Sequence, residues 1–261
     1  MRPNTALRAW REGKQTVGLW LSIPSGHTAE AIAHLGFDWL CIDMQHGLID
    51  YAASVEMMRA ISTTNTIPFV RVPWNDPATI MKALDAGAYG VVVPLVNNRE
   101  EAERAVWAAK YPPRGGRSSG PARASMYGGD GYQAQANDEL AVIVMIETKE
   151  GIANIDEIAS TPGVDCVYIG PSDLAYALDL PPTGDNRDPK HEAACLSILE
   201  ACKRAGVAPG MHTGSQEFTE KWLRAGFQMV NLGSDLAPIR RTLTAELSGA
   251  RANTGVQSTL A

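Results

Sequence analysis

No stretch of this chain approaches the ~18 consecutive apolar residues of a membrane span, and its charged N-terminus, MRPNTALRAWREGKQ, leads only into a short apolar run from Val17 to Ile23. That pattern disfavours secretion and membrane insertion, so a cytoplasmic location is expected. Cysteine is scarce: Cys41, Cys166, Cys195 and Cys202 form no CxxC pair, and two of them lie inside apolar strand-like runs. Reduced core thiols are expected, which argues against structural zinc and a disulfide framework. Basic residues form no stripe, and 23 Lys plus Arg against 29 Asp plus Glu leave a net charge of -6, which argues against a nucleic-acid partner.

What is present is a balanced composition, 45% apolar and 20% charged over 261 residues, enough to bury a large core. At ~150 residues per domain this permits two small domains or one large α/β domain. Short runs rich in Val and Ile recur between longer segments of helical period, as in parallel strands buried on both faces and joined by helices. Eight such runs are read as strands: Val17 to Ile23, Trp39 to Asp43, Ile67 to Val72, Gly90 to Leu95, Val142 to Glu147, Cys166 to Ile169, Val207 to Met211, and Met229 to Leu232. Several intervening helices end in Ala-Gly or Leu-Gly, where Gly supplies the left-handed cap that turns the chain into the next strand. Eight βα units over ~250 residues favour a closed (β/α)₈ barrel, with an open doubly wound sheet as the alternative. The open sheet is weakened by the lack of any GxGxxG after a strand. The barrel is expected over residues 1–248 as one domain, with a flexible tail over 249–261. Tyr111 to Glu139, with six Gly, three Pro and three Arg, breaks the rhythm and reads as a long loop. It is either solvated or reaches a barrel mouth, its own or a neighbouring subunit's.

Catalytic groups of such a barrel project from the C-terminal strand ends. Those ends carry Asp43, Gln45 and His46 after strand 2, Arg71 after strand 3, Glu147 after strand 5, and Gly170, Pro171, Ser172 and Asp173 after strand 6. Glu147 and Asp173 belong to adjacent βα units, so their carboxylates would repel unless a cation lay between them. A hard divalent ion such as Mg²⁺ or Mn²⁺ suits that pair, although an acid in a first helical turn also has an ordinary dipole explanation for Asp173. GPSDL opens a helix whose N–H groups suit an anion, so an α-keto acid would satisfy metal and helix together. Arg71, ending an apolar strand, needs either a structural carboxylate or a developing negative charge on substrate. His46 with Asp43 reads as an oriented dyad, and His212 is the one further histidine at a strand end.

These residues stand in IDMQHG, FVRVPWNDP, VVVPLV, YPPRGGRS, ARAS, MIETKEGIAN and VYIGPSDLA. Together, from about Gly18 to Leu236, the motifs resemble the HpcH/HpaI class II pyruvate aldolases in order and spacing. The resemblance implies a (β/α)₈ barrel and a divalent cation, Mg²⁺, Mn²⁺ or Co²⁺, held by Glu147 and Asp173. It further implies pyruvate or a relative such as hydroxypyruvate chelating through its carboxylate and C2 oxygen, Arg71 holding that oxygen, and His46 with Asp43 managing protons. A homo-oligomer, commonly a hexamer with the last helix exchanged, is implied too, and would let Arg123 reach a neighbouring mouth. By position, Trp20, His212 and Arg123 line the aldehyde pocket. Two positions depart from the family's usual pattern: Gln45 replaces a Glu, and Met145 replaces a Gln. The alternatives are phosphoenolpyruvate or acyl-CoA lyase chemistry on the same barrel, and a keto-acid sensor without turnover. A lysine Schiff base is not expected, because Lys149 alone of seven lysines falls near a strand mouth.

Overall fold

The computed structural model describes residues 1–258. The Val- and Ile-rich runs form eight parallel strands: β1 (Thr16–Leu21), β2 (Trp39–Asp43), β3 (Ile67–Arg71), β4 (Gly90–Val93), β5 (Ala141–Ile146), β6 (Cys166–Ile169), β7 (Ala208–Met211) and β8 (Met229–Ser234). Each pairs with the next, and β8 pairs back onto β1, so the sheet is a closed barrel rather than an open one. The helices preceding β5 are α1 (Thr5–Arg11), α2 (Gly26–Ala33), α3 (Tyr51–Ile61), α4 (Pro77–Asp85), α5 (Arg99–Ala109), α6 (Ala122–Gly128) and α7 (Tyr132–Glu139). After it come α8 (Lys149–Ala153), α9 (Ile155–Ala159), α10 (Pro171–Ala177), α11 (Pro189–Ala205), α12 (Gln216–Ala225) and α13 (Leu236–Thr254). All eight expected strands form. Those expected to reach Ile23, Val72, Leu95 and Glu147 stop one or two residues earlier, where the chain leaves the sheet to shape the mouth.

Side chains alternate between the barrel interior and the helical layer, as a period of two requires. Trp39, Cys41, Phe69, Ile143, Met145, Cys166, Tyr168 and Met229 fill the interior, while Leu40, Ile42, Val70, Val144 and Val167 face the helices. Gly18 makes room for the largest interior ring, since a Cβ there would lie 2.1 Å from the Trp39 indole. The short helix α1, which strand reading alone passes over, closes the floor with Ala6, Leu7 and Trp10. The indole N–H groups of Trp10 and Trp39 both donate to Thr16 Oγ, at 2.8 and 3.1 Å. At the opposite end Asp235 seals the seam between first and last strands. Its carboxylate accepts the N–H groups of Ser22 and Ile23, each at 3.0 Å.

Two expectations need correction. The segment Tyr111 to Glu139 is not one loop, because α6 and α7 occupy about half of it. It is anchored from below by Lys110, whose buried ammonium donates to the carbonyls of Asn137 and Leu140. The chain from 249 onward also begins as helix, since α13 runs to Thr254; residues 259–261 of the expected tail lie outside the described part. No residue of α13 is buried, and Leu236, Ile239, Leu243 and Leu247 lie exposed along it. Between its first turn and α2 lies a cavity of about 550 Å³ lined by Leu19, Ile32, Leu35 and Phe37. Among the described residues no helix is long and apolar enough to cross a membrane. All four cysteines are free and buried.

Candidate functional site

The same alternation that fills the barrel delivers its last inward-facing position on each strand to the mouth. Trp20 follows Gly18, Asp43 follows Cys41, Arg71 follows Phe69, Glu147 follows Met145, and His212 follows Gly210. Register sets Asp43 directly beside Arg71 across β2 and β3. The guanidinium holds the carboxylate through two bonds, Nε to Oδ1 at 2.8 Å and Nη2 to Oδ2 at 2.6 Å, and both side chains are nearly buried, at 11% and 5% exposure. Burial pushes the Asp43 carboxyl upward, but Arg71 and the N–H groups of His46 and Gln45 outweigh it and hold the group below its usual range. Both alternatives for Arg71 meet here. It has its structural carboxylate, and Nη1, which makes no hydrogen bond among the described residues, remains available to an anion.

This pairing corrects the expected dyad. Asp43 accepts the backbone N–H of His46 at 3.2 Å and that of Gln45 at 3.0 Å, while its outer faces are taken by Arg71, so it holds the turn and does not orient the imidazole. His46 itself is exposed.

Glu147 is buried, at 4% exposure, and its Oε1 accepts the N–H of Leu95 at 2.9 Å. Oε2 accepts no hydrogen bond among the described residues and lies against Gly170, where a Cβ would stand 2.2 Å away. Burial raises this carboxyl to about 7; the Leu95 N–H opposes the rise, the charge of Asp173 adds to it, and Arg71 opposes it. Asp173 is exposed in the first turn of α10, next to half-buried Ser172 and buried Pro171. Gly170 supplies no side-chain cap to that turn. A buried carboxylate with an unpartnered oxygen, coupled to a second carboxylate, is the donor set of a hard divalent cation. The residues present therefore fit that group, although no cluster of three or more His, Cys, Asp or Glu forms among the described residues. Water and substrate oxygens would have to complete the coordination.

Aromatic rings form the wall opposite. Trp20 stacks on Tyr168 at 5.3 Å, meets His212 edge-on at 5.1 Å and carries the Arg71 guanidinium over its face at 5.3 Å. Its indole N–H is buried without a partner. The His212 imidazole is pushed down to about 4 by removal from solvent and by the charge of Arg71, with Asp43 partly opposing, so it is neutral at pH 7. Tyr168 donates to Asn231 Oδ1 at 3.2 Å, and Asn231 also ties down Thr213 of the β7 loop. Strand-end reading passed over Leu95, Tyr168 and Asn231. The period of two would have placed Tyr168 and Asn231 inside, whereas Leu95 acts through its backbone and carries no residue-type signal.

Arg123 does not join this group. Its guanidinium donates to the carbonyls of Ala86 (2.8 Å) and Met58 and to Ser62 Oγ, at the C-terminal ends of α3 and α4. Those ends lie at the floor and carry the negative pole of each helix, which is what draws a cation there. The assignment of Arg123 to the aldehyde pocket is therefore set aside. Lys149, 65% exposed, pairs with Asp179 at 3.0 Å.

A profile of the HpcH/HpaI aldolase/citrate lyase family matches residues 16–241. A hydroxypyruvate/pyruvate aldolase of Rhizorhabdus wittichii is 42% identical over 249 residues, covering 95% of this chain and 99% of that one. A 4-hydroxy-2-oxo-heptane-1,7-dioate aldolase of Klebsiella pneumoniae is 38% identical over 89% of this chain and 88% of its own. Among solved structures, an HpcH/HpaI aldolase/citrate lyase family protein from Burkholderia cenocepacia superposes with a TM-score of 0.89 at 36% identity, covering 95% of this chain and 99% of that one.

Proposed function

Because the chain belongs to the HpcH/HpaI aldolase/citrate lyase family, we propose that it is a divalent-metal-dependent aldolase joining pyruvate or a related 2-oxo acid such as hydroxypyruvate to an aldehyde, and cleaving the resulting 4-hydroxy-2-oxo acid. The observation that carries this reading is Glu147: a buried carboxylate whose Oε2 has no donor, facing Asp173 and Arg71 across one mouth. Glu147 and Asp173 would hold Mg²⁺, Mn²⁺ or Co²⁺, which when bound supplies Lewis acidity toward the carboxylate and C2 oxygen of the keto acid.

The chain's own groups do the rest. The first turn of α10, from Gly170 through Pro171 and Ser172 to Asp173, offers N–H groups to the substrate carboxylate. Arg71, its plane fixed by Asp43, presents Nη1 to the C2 oxygen as negative charge develops there. His46 takes the proton from C3 of the keto acid and returns one to the aldehyde oxygen, directly or through a water. Trp20 and His212 wall the aldehyde, with the free indole N–H of Trp20 available to its oxygen. The exposed apolar stripe of α13 and the cavity beside its first turn support a homo-oligomer in which this helix packs on a neighbouring copy, in a hexamer. Four free thiols suit a reducing cytoplasm.

The test is activity of chelator-stripped protein on pyruvate or hydroxypyruvate with a panel of aldehydes. Activity should vanish on stripping and return with Mg²⁺, Mn²⁺ or Co²⁺. Full activity of the stripped protein would overturn the metal assignment, and an adduct trapped by borohydride on Lys149 would replace it with Schiff-base chemistry.

A further inference from the structure

Only two residues other than glycine take a positive φ among the described residues, Asp179 at 60° and Leu95 at 55°. Asp179 lies in an exposed turn, but Leu95 stands two residues past β4, at the rim of the mouth. A leucine in the left-handed region is strained by its Cβ, and such a conformation survives only where the surroundings impose it. Here they do. Asn97 Nδ2 donates to the Leu95 carbonyl at 2.9 Å, the Val96 N–H donates to Met145 O at 3.2 Å, and Asn154 Nδ2 donates to Asn97 O at 2.9 Å. Thr148 Oγ1 bonds to Asn97 Oδ1 as well. Both flanks of Glu147 are thus fastened to the segment bearing Leu95, and the left-handed turn aims the Leu95 N–H at Glu147 Oε1.

We propose that Leu95 is a positioning residue for Glu147, its left-handed backbone engaging Oε1 so that Oε2 is the oxygen presented to the cation. The inference rests on the reading of Glu147 as a metal ligand. A leucine side chain is not what the turn requires; a residue that tolerates positive φ is.

The prediction follows from which residues accept that backbone. Leu95→Gly and Leu95→Asn keep the turn and the N–H, whereas β-branched Leu95→Val resists it. Mn²⁺ titration of chelator-stripped protein, read by electron spin resonance of the free ion, should give Gly and Asn variants within about threefold of the parent and a Val variant at least about tenfold weaker, the scale seen when a ligand loses its supporting hydrogen bond. A Val variant within threefold of the parent, or Gly and Asn variants as weak as Val, would overturn the proposal. Should Leu95→Val not fold, Asn97→Ala, which releases the Leu95 carbonyl, takes its place with the same two readings. Glu147→Gln in the same titration separates the two ideas. Unchanged affinity there removes the cation site and the proposal with it, while weakened affinity there beside an unaffected Leu95→Val removes only the role of Leu95.

Discussion

As the proposed cation ligand, Glu147 would couple proton and cation. Its carboxyl is raised to about 7 in the fold against about 4.5 when unfolded, so between those values the native state binds the extra proton. Without cation the fold therefore loses stability as pH rises through that window. With cation the sign reverses, because the ion needs the deprotonated oxygen: Mn²⁺ affinity should fall by up to about tenfold per unit as pH drops below 7. Calorimetric titration at pH 5.5, 6.5 and 7.5 would show this, and a flat profile would mean that Glu147 does not ligate. Gly170→Ala places a methyl where Oε2 sits and should weaken Mn²⁺ binding tenfold or more, with little change in unfolding temperature. Arg71→Lys is expected to lose at least a hundredfold in turnover, since a point charge cannot grip both Asp43 oxygens and still offer Nη1. Near-parental turnover in a steady-state assay would reduce Arg71 to a structural partner.

At the scale of elements, the strands were readable and the two short helices within residues 111–139 were not. Every run dense in Val and Ile became a strand, because burial on both faces leaves a continuous apolar signature. The helices α6 and α7 escaped notice because ARASMYG and YQAQANDE bury only a few residues each and are surrounded by Gly and Pro. Strand-end logic put Asp43, Arg71, Glu147 and His212 at the mouth, and parity sends their side chains inward there. It mispaired Asp43 with His46, neighbours in sequence, where the register of β2 against β3 offered Arg71. Arg123 was misplaced for a related reason: a cation in a segment taken as loop was read as free to travel, while the helix ends beneath it hold it. Arg123→Ala should accordingly cost about 1–2 kcal/mol of stability by freeing those carbonyls, seen as a lower midpoint in chemical denaturation. Its Mn²⁺ affinity should match the parent's.

For the molecule as a whole, α13 is the element whose place the single chain does not explain. Nineteen residues of helix with none buried gain little from their own barrel, and in the proposed homo-oligomer packing against another copy would stabilise them. Replacing Leu243 and Leu247 together by Glu should dissociate the assembly in sedimentation velocity, leaving a folded barrel by circular dichroism. An unchanged sedimentation coefficient would remove α13 from the interface.

The seam sealed by Asp235 has a further consequence, one that concerns synthesis. Ser22 and Asp235 stand 213 residues apart in the chain, and the strand that carries Trp20 is paired on one side by the last strand to be made. On a ribosome, nearly every group of the mouth emerges long before the barrel can close, and the unpaired edge of β1 stays open until β8 arrives. An N-terminal fragment that ends before β8 cannot close the barrel around the site and presents the open edge of β1. The interval between the two strands is the period in which that edge is open to pairing with other chains.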